Sequence, residues 1–293
     1  MLSGISIICF AACYTIAFGL EILGLQRRFA WHRAILAVVT LAGLAAHSLY
    51  LLRNTTATRN LPLSTADWLL WAAWLLAAVY FAALFYLPRT PTGIILLPIT
   101  IGLILSSHWA STEPLGTERS FYIWGLMHGL FLLVGTVAVC IGFLAGLMYL
   151  LQSYALKHAR SPINGLRLPS LEWLEHVNSR MLGLSAVLIA LGFASGIVMS
   201  FVIHRGQPTY TLWKDPVVLS LAAMLLWLVA AEVFRLVYPA ARQGRKVAYL
   251  TLASFVFLVI ALASFTLLDN VHSQNRRASV NPKSEIRNPQ LPS

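Results

Sequence analysis

An all-α polytopic membrane helix bundle, with about eight transmembrane helices, is the fold this sequence predicts, and three observations predict it. Hydrophobic residues make up 58% of the 293-residue chain and charged residues 11%, whereas soluble globular chains carry about 25% charge. Mean hydropathy is +0.74. The apolar residues are also gathered into runs of about 20, the length that crosses a hydrocarbon core. None of the runs alternates with the period of two that a membrane strand requires, and all exceed the length of a barrel strand.

The elements can be justified in order. The run at 5–25 has no basic leader and no evident small-residue cleavage site before Arg27, so it reads as a retained helix and not a signal peptide. Runs follow at 34–52, 67–87 and 93–110. The fifth, 122–152, is long enough to tilt or to project beyond the bilayer. Within it His128, Gly135, Gly142 and Tyr149 recur every seven residues and so share one helix face. Gly142 and Gly146 form a GxxxG, which lets a neighbouring helix, or a flat ring, come close. The last three runs span 181–204, 216–238 and 247–268. Asp215–Pro216 reads as an N-cap followed by proline at the first helical position. Past Asp269 the chain turns polar and proline-bearing, which reads as a disordered tail. The organisation expected is a four-helix membrane region over 1–110, a second over 111–273, and a tail over 274–293.

The net charge of +11 is placed by topology. Twelve Lys and Arg fall in the loops at one end of the runs: Arg27, Arg28, Arg33, Arg89, Lys157, Arg160, Arg167, Arg180, Arg235, Arg242, Arg245 and Lys246. Five fall at the other: Arg53, Arg59, Arg119, Arg205 and Lys214. Basic residues concentrate on the cytoplasmic side of membrane proteins, so the first set is cytoplasmic and both termini face outward. Basic loops arranged this way are membrane topology, and no nucleic-acid partner is expected. Cys9, Cys13 and Cys140 all lie inside apolar runs, matching neither a zinc site nor a CxxC pair, and read as small buried hydrophobes. No CxxCH occurs, so the chain does not attach haem to itself.

On this topology His32, His158 and His176 lie in cytoplasmic loops, while His47, His108, His128, His204 and His272 fall toward the outer side. His108 and His204 sit at run ends, where an imidazole keeps one wet edge. His47 and His128 lie deeper, in LAGLAAHSLYLL and WGLMHGLFLLVG. An ionisable side chain there is costly and marks a functional candidate, although a structural imidazole bonded to a neighbouring carbonyl fits the same position. Zinc wants three or four ligands with Cys, Asp or Glu among them, and the outer loops offer few. Haem needs one or two axial imidazoles and an apolar, aromatic cradle, and Trp109, Tyr122, Trp124, Tyr210 and Trp213 are nearby in sequence or topology. A two-haem cytochrome b arrangement ranks low, because only His32 and His47 approach its histidine spacing.

The second half resembles the membrane domain of the CcsA/CcmC cytochrome c assembly family, in its HemX-like and YpjD-like branch. The stretches that carry the resemblance run in family order. HGLFLLVGTVAVCIGFLAGLMYLLQ (His128–Gln152) is similar to the histidine-led helix that closes in Tyr-Leu-x-Gln. LPSLEWLEHVNSRMLGLSAVLIALGFASGIV is similar to the cytoplasmic loop and Gly-rich helix that follow. GRKVAYLTLASFVFLVIALASF, leading to LLDNVHS, is similar to the last helix and its closing His-Ser. The likeness covers roughly 122–273, with LAAHSLYLL matching more loosely.

The resemblance implies an external Trp-rich loop between two external histidines that holds haem b for delivery to apocytochrome c. His128 and His272 take the places of the axial ligands, YTLWKDP takes the place of the loop through Trp213 and Asp215, and His47 that of a ligand within the bilayer. The family loop follows W-G-x-x-W-x-W-D-P-K-E; here Trp213, Asp215 and Pro216 remain, Lys214 stands where a Trp is expected, and Val217 and Val218 replace Lys-Glu. Fewer aromatic faces imply a weaker haem platform and leave haem-lyase activity open.

The expected partners are membrane lipid, other cytochrome c maturation proteins and apocytochrome c, in a bacterial inner membrane. No nucleophile–base pair, carboxylate dyad or nucleotide loop is visible, so at most the chain is a component of a haem lyase. The rival readings are an accessory membrane protein that regulates haem biosynthesis or scaffolds a complex, and a small-solute transporter. Glu21 and Glu232 lie near run ends, and no mid-membrane ion relay supports transport. A reporter fused after Leu268 should be active on the outer side and one fused within 156–170 on the cytoplasmic side. Swapped activities would invert the placement of every histidine.

Overall fold

The computed structural model describes residues 6–26, 31–58, 64–87, 90–110, 119–157, 169–203, 216–238 and 244–267. These form eight α-helices: α1 (Ile7–Gln26), α2 (His32–Thr58), α3 (Thr65–Tyr86), α4 (Gly93–Trp109), α5 (Arg119–Lys157), α6 (Leu171–Ile203), α7 (Pro216–Val237) and α8 (Arg245–Leu267). Seven are long and apolar enough to cross a membrane; α4, with 17 residues, is shorter. At about 1.5 Å per residue α4 still rises roughly 25 Å, the lower limit for a crossing.

Helix contacts show how the ends are grouped. Arg33, at the start of α2, donates from Nη2 to the Leu84 carbonyl near the end of α3 at 2.7 Å. Arg235, near the end of α7, is held by α6 at Ser179, and Arg245, at the start of α8, donates from Nε to Ser153 Oγ near the end of α5 at 2.9 Å. At the opposite end Asn54 of α2 donates to Asp67 Oδ1 of α3 at 2.6 Å, and Ser64 caps α3 by accepting from the Asp67 N–H at 3.1 Å. Chain direction therefore alternates, and α4 must connect the two ends, because α3 finishes at one and α5 begins at the other. The described members of the twelve-residue basic set gather at one end, called the basic end below.

Several boundaries differ from the sequence expectation: α2 runs on to Thr58 and α5 to Lys157, past the expected 52 and 152, and two starts change the placement of a histidine. α6 begins at Leu171, ten residues before the predicted 181, so LEWLEHVNSR is helix and His176 is helical, not in a loop. The cause is local: Ser170 Oγ accepts from the Trp173 N–H at 3.3 Å, and Glu172 sits in the first turn, where the helix dipole favours an acid. His32, expected in a loop, is the first residue of α2 and is buried against Gly24 of α1. α7 starts at Pro216, as the proline rule anticipates.

Lipid offers no hydrophobic drive between helices, so close packing and internal polar pairs hold such a bundle together. α5 and α6 make the most extensive pair, while α3 and α4 link the first four helices to α5 and α8. Glycines set the α5–α6 approach. A Cβ on Gly135 would lie 2.9 Å from Ile189 Cγ1, and one on Gly192 would lie 2.6 Å from Leu132 Cδ2. Gly142 faces Thr251 and Met181, and Gly146 faces the Ala248 backbone, so the GxxxG admits α8. Helix packing explains that face. α7 buries only Met224, Leu228 and Ala231, a stripe at helical spacing, and presents Leu226 (72% exposed) outward. A surface of that kind suits lipid.

Several polar groups inside the bundle are bonded across helices. With its amide nitrogen turned toward α5, Asn178 donates to the Gly142 carbonyl at 3.1 Å and to Thr251 Oγ1 at 2.7 Å, and its oxygen accepts from the Ala248 N–H at 3.3 Å. One side chain thus ties α5, α6 and α8 and satisfies a donor in the first turn of α8. Trp227 Nε1 donates to Ser254 Oγ at 3.1 Å between α7 and α8, and Trp74 Nε1 to Ser48 Oγ at 2.9 Å between α3 and α2. Asn178→Leu should lower stability in detergent by about 1–2 kcal/mol through the groups it orphans. Arg180→Gln, an exposed change two residues on, should stay within about 0.5 kcal/mol. Thermal unfolding of the purified variants measures both.

Candidate functional site

Among the described residues the two deeper histidines lie in separate places. His128 sits in the first half of α5, where α6 approaches its end. Its Nδ1 lies 2.7 Å from the Gly192 carbonyl oxygen. A carbonyl can only accept, so this contact calls for the proton on Nδ1, and in the neutral form of the ring the lone pair is then on Nε2. Ser195 Oγ donates to the same carbonyl at 2.8 Å. The ring is seated where Gly196 has no side chain: a Cβ there would lie 2.7 Å from His128 Cε1 and 2.8 Å from Nδ1. Trp68 of α3 closes over Gly129, the next residue, whose added Cβ would meet its indole at 2.2 Å. α6 therefore fixes the imidazole of this α5 residue, while α3 packs against the neighbouring backbone through Trp68. The arrangement combines the structural reading, a carbonyl-bonded histidine, with the backbone anchoring that orients metal-ligating imidazoles.

His47 is placed differently. It is 0% exposed, stacked on Phe10 with ring centroids 4.0 Å apart and planes 3° apart, and its Nδ1 lies 3.4 Å from Tyr14 Oη. Nε2 has no hydrogen-bond partner among the described residues. Burying such an atom costs free energy, but the stack on Phe10 leaves that face no room for a macrocycle. His47 belongs to the α1–α2 interface and His128 to the α5–α6 interface, and the structure does not bring them together.

The remaining predicted site residues, His272, Trp213 and Asp215, lie outside the described residues, as do Tyr210, His158 and His204. The Tyr122 side chain is likewise outside. Trp109 and Trp124 are described and exposed, at 64% and 42%, and His108 packs edge-on to Trp109. Among the described residues no group of three His, Cys, Asp or Glu converges on one point.

Two acids noted in the sequence are engaged at the basic end. Glu21 is buried, accepts from Tyr80 Oη at 2.9 Å, and lies beside Gly93 at the N-terminus of α4, whose dipole favours a negative charge. Glu232 pairs with Arg235 at 2.6 Å, and Arg235 also bonds the Ser179 carbonyl and hydroxyl. Sequence reasoning did not identify Gly192, Ser195 and Gly196 as the seat of His128. The spacing of Gly192 and Gly196, another GxxxG, was the available signal. Phe10 and Tyr14 around His47 had none, because their partner is on another helix.

Comparison with known proteins found no matching family model, no matching curated protein and no matching solved structure.

His47→Ala should destabilise the detergent-purified protein by about 2–4 kcal/mol, because it removes a stacked, fully enclosed ring and leaves a cavity. His108→Ala, an exposed change, should stay within about 0.5 kcal/mol. Denaturation of the two variants side by side checks the contrast.

Proposed function

We propose that this multi-pass membrane protein handles haem at its outer face for cytochrome c assembly, in a bacterial inner membrane. The observation that carries the reading is the His128 imidazole, whose Nδ1 lies 2.7 Å from the Gly192 carbonyl oxygen, a bond that in the neutral ring puts the lone pair on Nε2. A metal-ligating histidine is oriented in this way by a backbone acceptor on its other nitrogen. The order of the family-like stretches over 122–273 and the charge asymmetry support the same placement. By the resemblance, His272 would supply a second imidazole to the haem, and Trp213 and Asp215 would belong to the reduced loop that holds it. Haem b, when bound, supplies the iron and the macrocycle to be passed on. The residues of this chain bind and orient it, while maturation partners bring the apocytochrome and its thiols.

His47 is given a packing role in this proposal, because a macrocycle reaching Nε2 would have to displace the rings around it. A second reading, an accessory scaffold that stabilises a complex or tunes haem biosynthesis, is favoured by one observation. The buried Asn178 and Glu21 and the part-buried Arg235 are all engaged in interhelical bonds.

Pyridine haemochrome content and the Soret and alpha bands separate the two. Wild type supplied with haem should hold it low-spin and six-coordinate. His128→Ala and His272→Ala should each turn it high-spin or leave the protein empty. Trp213→Ala should lower occupancy modestly without changing ligation, since one aromatic face adds about 1–3 kcal/mol of burial. Haem absent from well-folded wild type would overturn the proposal and leave the scaffold reading.

A further inference from the structure

The junction between the end of α5 and the start of α8 is an open groove of about 350 Å³, lined by Leu150, Leu151, Tyr154, Lys157, Arg245 and Tyr249. Its chemistry is layered. Lys157 is the last residue of α5 and Arg245 the first of α8, so two cations stand at the rim, at the membrane boundary. Tyr154 and Tyr249, exposed at 63% and 60%, also line the groove. Leu150 and Leu151 line the groove nearer the bilayer. The Arg245 guanidinium is positioned by its Nε–H bond to Ser153 Oγ at 2.9 Å, which leaves its two terminal nitrogens for another acceptor. Among the described residues the salt bridge is Arg235–Glu232, so neither rim cation is paired with a carboxylate. Glu175 of α6 and Arg245 both act on Tyr149, so this carboxylate is in the neighbourhood of Arg245, but it forms no ion pair with it among the described residues and does not line the groove.

We infer that this groove is a binding site for an anionic phospholipid of the leaflet at the basic end. The inference is independent of haem. A phosphodiester accepts the fork of an arginine and the point charge of a lysine, tyrosines are at home at headgroup level, and the leucines meet the glycerol and upper acyl chain. Basic pockets between transmembrane helices on the cytoplasmic side have the right charge for such headgroups. A zwitterionic lipid carries its own cation and gains less from two more. A free anion gains nothing from Leu150 and Leu151. The occupant is therefore a lipid with net negative charge.

Native mass spectrometry of the full detergent-purified chain, titrated with phosphatidylglycerol and with phosphatidylcholine, tests this. Phosphatidylglycerol should be retained in preference to phosphatidylcholine. Lys157→Gln and Arg245→Gln should each weaken that retention about fivefold and the double variant about 25-fold, the contribution of one cation near an anionic surface. Arg180→Gln, which removes an exposed charge at the same end of the bundle without touching the groove, should change retention less than about twofold. Arg245→Lys keeps the charge and should retain most of the preference, which separates charge from damage to the fold. Millimolar inorganic phosphate should not displace the lipid. Equal retention of the two lipids, a double variant that binds like wild type, an Arg180→Gln loss as large as the groove variants, or displacement by phosphate would each overturn the inference.

Discussion

The close approach of α5 and α6 is the constraint on which the rest of this bundle depends. In lipid, two helices gain little from being apolar, and they associate where small residues let backbones draw near and polar groups bond across the gap. Here the α5 positions 128, 135 and 142 face Gly196, Ile189 and Met181 in antiparallel register. Glycine falls now on one helix, now on the other, so each bulky side chain finds a gap opposite. Asn178 then locks the same pair to α8. Without the glycines, the helices would stand apart and both the His128 and Asn178 bonds would be lost.

That constraint also decides what His128 can be. A histidine on a lone helix rotates and exchanges tautomers; this one is confined by Gly196, bonded to Gly192 and flanked by Trp68 at the next residue. Orientation of an imidazole before a ligand arrives lowers the ordering cost of binding. The same stiffness serves a purely structural histidine. The difference between the two roles lies in Nε2 and in what reaches it, not in the packing.

Much of the fold was legible in the chain. Each run was long and apolar, proline opened α7, and the basic residues sorted by end, because bilayer thickness and helix termini act through local sequence. What was not legible depended on partners from elsewhere. LEWLEHVNSR read as loop since its polarity hid a helix that projects past the apolar core, started by Ser170. The seven-residue pattern on α5 named a face but not its occupant, and only the positions of Ile189, Met181 and Thr251 identify that occupant as helix. His47 read as costly and hence functional; Phe10 and Tyr14, more than thirty positions away, supply its surroundings. Of the site, His128 is placed with its seat, while the loop and closing histidine that would complete it lie outside the described residues.

The claim at the centre of this account is that α6 holds His128 as the Nδ1-protonated imidazole. Nitrogen-15 NMR of histidine-labelled protein in detergent or bilayers, with His128 assigned by its alanine variant, tests it most directly. The account predicts a protonated Nδ1 and an unprotonated Nε2 in wild type, with the signals shifted or broadened in Gly196→Ala, where the added Cβ intrudes on the ring. A His128 protonated at Nε2 alone, or one unchanged by Gly196→Ala, would contradict it.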